Sequence, residues 1–258
     1  MTRPYLYIIS LVILSVVAVA QKQKESCTPA IPIEIDAKVD EWQAEWLLDP
    51  EGKFLYNICN DETALFVRIK VSDITTQRKI ALFGLTLWLD PSGKKKGKLG
   101  MKYPVGTPDL SVNPDNLNTM NRNPKRGDIE KGLLTDIEVL ELIGLAKENI
   151  ISSRLGLMNG IKVLIAPTED GSYMYEAKLP FKAFRINKAD VSILGIGFET
   201  GKLIPEKGKS QPASNGGPSS IPSYGKMSPF YEQLMIGPSG SGYEMTISTK
   251  MWSSVKLN

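Results

Sequence analysis

Residues 54–71 read FLYNICNDETALFVRIKV, and their pattern decides the fold class. From Phe54 to Cys59 the apolar positions recur every second residue, the period of a half-buried strand rather than of a helix. Asn60-Asp61-Glu62-Thr63 is a cluster of turn formers. Ala64 to Val71 then resumes the strand pattern, so the stretch predicts a hairpin. Working outward, the same grammar predicts strands at 31–35, at 82–90 up to the turn Pro91-Ser92-Gly93, and at 161–166, 173–180, 191–198, 243–249 and 251–257. Residues 133–143 fit neither period cleanly and are read as a short helix running into a strand. Residues 107–131 and 205–227 are rich in Pro, Asn, Ser and Gly and predict two long loops. About ten short strands with almost no amphipathic helix predict an all-β chain, an antiparallel β-sandwich forming a single domain over 21–258.

Residues 1–20, MTRPYLYIISLVILSVVAVA, carry one early arginine, an apolar run and small residues at Ala18 and Ala20, the layout of a cleavable signal peptide. The run is shorter than the roughly 20 residues of a membrane span. The expectation is an exported protein, periplasmic or extracellular, with no membrane span after cleavage. The formal net charge of +3 gives no global pull on nucleic acid. Its two cysteines, Cys27 and Cys59, are permitted to pair in an oxidising compartment, and spacing alone leaves free thiols equally open. The chain contains no histidine. That excludes Ser-His-Asp and Cys-His catalysis, His-rich zinc sites and His-ligated haem.

Several stretches resemble one family. IDAKVDEW (35–42) with Trp46 is similar to the entry segment of family 9 carbohydrate-binding modules and the wider DOMON-like sandwiches of jelly-roll type; Asp36, Asp40 and Glu41 match the family's acids and Ala37 stands where it has glycine. YNICNDETALFVRIKVSD resembles the family hairpin through Tyr56, Asp61, Leu65, Phe66, Val67 and Asp73, and SYMYEAKLPFKAF its later strand through Tyr175, Glu176, Pro180 and Phe181. LTLWLDPSGKKKGKLGMKYP and the terminal WSSVKL resemble a secreted branch common in Bacteroidetes. The resemblance implies a non-catalytic module of carbohydrate use that binds a glycan, with structural Ca²⁺ in some relatives. It also implies that Asp36, Asp40, Trp42 and Trp46 build the fold, the acids by accepting backbone N–H bonds and a tryptophan by closing one end of the core.

Sugar recognition needs an aromatic face and a few polar groups at its edge. The available rings are Trp88, Tyr103, Tyr224, Tyr231, Tyr243 and Trp252. Leu85, Leu87 and Leu89 share one side of their strand and turn Trp88 to the other, which makes Trp88 the leading ligand-binding residue, with Tyr103 beside the lysine-rich turn. Lys94, Lys95 and Lys96 read either as a solvated hairpin tip or as a contact for an anionic glycan or phosphate. Asp61, Asp73 and Asp90 close strand ends and are candidates for Ca²⁺ or for turn formation. No phosphate loop, nucleophile elbow or zinc spacing occurs, so a non-enzyme is expected. The partner class is carbohydrate or polysaccharide; an envelope protein partner is the alternative.

Overall fold

The computed structural model describes residues 24–38, 41–42, 44–49, 51, 53–106, 134, 137, 139–145, 150–202 and 242–258. The expected signal peptide at 1–20, Asp40, the expected loops at 107–131 and 205–227 with Tyr224, and Tyr231 lie outside them, as does the ring of Tyr243.

The hairpin at 54–71 forms as β3 (Leu55–Asn60) and β4 (Ala64–Val71), paired antiparallel with Asn60 opposite Leu65. The other strands among the described residues are β1 (Lys24–Glu25), β2 (Leu47–Leu48), β5 (Leu85–Asp90), β6 (Leu99–Lys102), β7 (Val139–Ile143), β8 (Ile150–Ser152), β9 (Lys162–Pro167), β10 (Tyr173–Pro180), β11 (Ile193–Thr200) and β12 (Lys250–Lys256). They make a five-stranded sheet, β2-β3-β4-β10-β9, and a seven-stranded sheet, β1-β12-β11-β5-β6-β7-β8. Ladders are antiparallel except β1 with β12, which run parallel. The fold is a β-sandwich.

Strand alternation supplies the core between the sheets. Leu65, Val67 and Ile69 of β4 and Tyr175, Ala177 and Leu179 of β10 meet Leu85, Leu87 and Leu89 of β5 and Leu194, Ile196 and Phe198 of β11 in one buried cluster. Phe198 touches Phe54 and Tyr56 across the sandwich, with ring centroids 6.1 and 5.8 Å apart. Each such side chain removed from water contributes about 1.5–3 kcal/mol against the entropy of ordering the chain.

The N-terminal segment stitches the sheets together. Lys24 and Glu25 pair with β12, whereas Cys27, two residues on, bridges to β3: its N–H donates to the Ile58 carbonyl at 3.0 Å and its carbonyl accepts from Asn60 N at 2.9 Å. A disulfide joins Cys27 to Cys59.

Three expectations are corrected. Residues 31–35 are not a strand; Ile33 packs in a small cluster outside the main core. The strand expected from residue 82 begins at Leu85, because 74–83 form helix α1 (Ile74–Phe83). The β-branched Ile74, Thr75 and Thr76 disguise that helix, but Asp73 caps it, accepting from Thr76 N at 2.9 Å. Gly84 at φ 87° stops it, where an added Cβ would lie 2.4 Å from the Pro104 carbonyl oxygen. Residues 243–249 hold a short helix (Gly242–Met245) and a turn rather than a strand. Of the expectation for 133–143, the strand forms as β7, and most of the segment expected as a helix lies outside the described residues.

Candidate functional site

The two sheets differ in what lies on their outer faces. On the five-stranded sheet, Asn57 of β3, Arg68 of β4 and Glu176 of β10 stand side by side in the ladder, all three pointing away from the main core. Each grips a part of the entry segment. Asn57 Nδ2 donates to the carbonyls of Ala44 and Glu45 at 2.9 and 2.6 Å. The Arg68 guanidinium lies between two indoles, 4.9 Å from the Trp42 ring centroid and 4.0 Å from that of Trp46, a cation–π clamp. Glu176 Oε2 accepts from Asp36 N at 3.1 Å and Ala37 N at 2.9 Å.

Burial and the Arg68 neighbour act on this rank in opposite senses. Burial pushes the Arg68 guanidinium down to about 10 against the pull of Glu176. Burial likewise raises the Glu176 carboxyl, with the Ala37 and Asp36 N–H groups and Arg68 opposing it. Asp36 makes its other contacts at the surface, accepting from Lys38 N at 2.9 Å and pairing with Lys38 Nζ at 2.8 Å. Trp42, 5% exposed, therefore sits in the small cluster with Ile33, Cys59, Ala64 and Phe66 rather than closing an end of the inter-sheet core. Around Arg68 this face is filled by the chain itself.

On the outer face of the seven-stranded sheet, register places Gly100 (β6), Trp88 (β5), Gly197 (β11) and Trp252 (β12) in one row across the strands. Both tryptophans are half-buried. A Cβ on Gly197 would come within 2.7 Å of Cδ2 and Cε2 of Trp252, so that ring lies flat on the glycine. The Trp88 ring packs against Gly97 and Gly100, where added Cβ atoms would come within 3.2 and 2.9 Å of it. Glycine is needed here because the ring occupies the volume of a side chain. Trp88 Nε1 donates to Glu199 Oε2 at 2.8 Å.

The next row along the strands is Glu141, Lys102, Thr86, Glu199 and Lys250, each opposite its neighbour in register. Lys250 Nζ lies 3.4 Å from Glu199 Oε2, and Ser248 Oγ donates to Glu199 Oε1 at 3.4 Å. Burial pushes the Lys102 ammonium down, opposed by Glu141. On the other side of the tryptophan row, the turn 91–98 folds back over the sheet: Gly97 meets the Trp88 ring and Lys95 N lies 3.5 Å from where a Gly195 Cβ would stand. Lys94, Lys95, Lys96 and Lys98 are exposed on this turn. The arrangement is a floor of indole and glycine between a polar row and a lysine-bearing turn.

Trp88 and the lysine turn are thus brought together, but Tyr103 is not with them. It is 7% exposed, belongs to the main core cluster, and burial raises its phenol pKa, so the ring is not available at the surface. The reason is parity: Lys102 takes the outward position of its strand, and the next residue turns inward ahead of the cis bond to Pro104.

The three aspartates proposed for Ca²⁺ do not converge. Asp61 accepts from Thr63 N, Thr63 Oγ1 and Ala64 N at 2.6, 2.9 and 2.7 Å. Asp73 caps α1 and pairs with Lys53 at 2.8 Å. Asp90 accepts from Ser92 N and Lys96 N at 3.0 and 2.8 Å. β4 separates Asp61 from Asp73 by the length of the sheet, and each carboxylate is committed to its own turn; these residues do not fit a shared calcium ion. Among the described residues no group of three Cys, Asp or Glu stands close enough to hold a metal.

The sequence reading missed Trp252, Gly197 and Glu199 as parts of this face. The signal was present in LGIGF (194–198), where glycines at period two in a strand mark close approach by another group.

No family model matches the sequence. No curated protein matches it. Among solved structures, a carbohydrate binding module family 9 from Caldicellulosiruptor kristjanssonii in complex with glucose aligns with a TM-score of 0.38 at 10% identity, covering 92% of this chain and 96% of that one.

Proposed function

We propose that this chain is an exported, non-catalytic module that binds a glycan on the outer face of its seven-stranded sheet. The observation that carries the reading is the row Gly100–Trp88–Gly197–Trp252, two half-buried indoles held on glycine in one plane of the sheet. Indole faces suit the apolar side of a pyranose, and Glu199, Lys250, Ser248 and Thr86 alongside suit its hydroxyls. The motif resemblance from residues 33–42 to WSSVKL supports the same class, and export is supported by the leader pattern at 1–20 and the Cys27–Cys59 disulfide.

The test is a titration of the protein against a panel of soluble oligosaccharides, repeated with Trp88→Ala. The expected result is saturable binding to at least one glycan, weakened about tenfold or more in the variant, the mark of a central aromatic contact. Unchanged affinity in a folded variant would remove this face from the site. A protein-partner reading has one observation of its own: Leu155, Leu157 and Met158 of helix α2 (Ser153–Met158) are 47%, 57% and 78% exposed. Recovery of a specific protein by pull-down, lost in Met158→Lys, would favour it.

A further inference from the structure

Resting on the glycan reading, we infer that the ligand is an anionic polysaccharide, a chain of pyranose rings bearing carboxylates, that runs across the strands with its rings on Trp88 and Trp252 and its acid groups toward the turn 91–98. The charges on the two sides of the tryptophan row are unequal. On one side they cancel: Lys250 pairs with Glu199, and Lys102 stands opposite Glu141. On the other side Lys94, Lys95, Lys96 and Lys98 are exposed, and among the described residues none has a carboxylate within ion-pair distance.

The one acid beside them, Asp90, faces inward to the turn. Its oxygens accept from Ser92 N, Ser92 Oγ and Lys96 N at 3.0, 2.6 and 2.8 Å, which shapes the loop and leaves the ammonium groups uncompensated. Contact between Gly97 and the Trp88 ring ties that positive turn to the aromatic floor.

The spacing of the floor sets the run of the ligand. Trp88 and Trp252 are separated by one strand, so their Cα atoms stand about 10 Å apart at an interstrand spacing of about 4.8 Å. That separation exceeds one sugar ring. A chain crossing the strands therefore meets both indoles only if it spans several rings, and the rings near Trp88 pass the lysine turn, which reaches as far as Gly195 of β11.

The experiment titrates the full chain with a tetramer of galacturonate, the matching neutral galactose oligomer, and inorganic polyphosphate, at low and high salt. The wild type is compared with Trp88→Ala, Trp252→Ala and the triple variant Lys94→Ser, Lys95→Asn, Lys96→Ser. Asparagine is used at 95 because Lys95 has φ 57°, which asparagine tolerates. The expected result is binding of the uronate that falls about tenfold on raising the salt, and about tenfold in the lysine variant and in each tryptophan variant. Equal or tighter binding of the neutral oligomer, unmoved by the lysine changes, would overturn the inference and leave the glycan reading standing. Polyphosphate bound as well as uronate, with no effect of either tryptophan, would overturn the inference and, by removing the indoles from the site, the glycan face as well; failure to bind the uronate would overturn the inference alone, the glycan reading then resting on the wider oligosaccharide panel.

Discussion

The two outer faces of the sandwich both use a pair of tryptophans, and they use them in opposite ways. On the five-stranded sheet, Trp42 and Trp46 close on Arg68, a residue of their own chain. On the seven-stranded sheet, Trp88 and Trp252 lie on glycines. On one face the aromatic residues are spent on folding; on the other their rings rest on backbone and keep an exposed part. A clamp that already contains a guanidinium, and that is bonded along its length by Asn57 and Glu176, has no vacancy for a ligand. A ring supported from beneath by backbone has its orientation fixed at no cost in its own side-chain contacts, which is the preorganisation that binding needs.

That comparison can be broken most forcefully at Arg68. Arg68→Ala leaves Glu176 buried without its cation and empties the clamp, and the expected loss is about 4 kcal/mol in urea unfolding, with glycan affinity in the surviving folded fraction unchanged. A loss below about 1 kcal/mol would mean that the entry segment is held by its backbone bonds alone. Next comes the disulfide beside it. With Cys27 and Cys59 separated by 32 positions in sequence, the double serine variant should lose about 3–4 kcal/mol, again without a change in ligand affinity.

A different pattern is expected at Gly197. Gly197→Ala puts a methyl group where the Trp252 ring lies, which should cost about 1–2 kcal/mol in stability and weaken glycan binding to the level of Trp252→Ala. If all three results hold, changes behind the five-stranded sheet move stability alone, whereas the change on the seven-stranded sheet moves binding as well. Smaller still is Ala37→Gly. Ala37 has φ 64°, in the left-handed region, and glycine there should add about 0.5–1 kcal/mol, read as a rise in melting temperature.

The smallest handle is acid. Burial raises the Asp73 carboxyl, but the bonds from Lys53 and Thr76 outweigh it, and the pKa is held below the ordinary carboxylate value. A carboxyl lowered in the folded state contributes stability above its unfolded pKa of about 3.9 and loses it as the pH falls through the folded value. Asp73→Ala should therefore cost about 1 kcal/mol at neutral pH, and the gap between variant and parent should close in strong acid. A gap independent of pH would assign the helix cap to geometry rather than charge.

Much of this was legible in the residues. Leu85, Leu87 and Leu89 announced the core side of β5 and so the outward side of Trp88, because strand alternation is a property of the backbone alone. The hairpin of β3 and β4 was equally readable from 54–71. What hid was whatever depends on contacts distant in sequence. Nothing near Arg68 says that Trp42 and Trp46 will close on it. Helix α1 escaped because its cap, Asp73 to Thr76, is a local signal set against β-branched residues that argue for strand. Trp252 was visible as a ring but not as a neighbour of Trp88, since only the register of β11 between them brings the two into one row.

The segment from Lys24 to Cys27 has a further consequence when the molecule is considered under load. β1 runs parallel to β12, so pulling residue 24 and residue 256 in opposite directions strains their mutual hydrogen bonds side by side and not one after another. Immediately beyond, the covalent link at Cys27 hands the force to β3 in the other sheet. A tether drawn through this corner would stretch both layers of the sandwich together, and would have to shear a ladder before it could peel a strand.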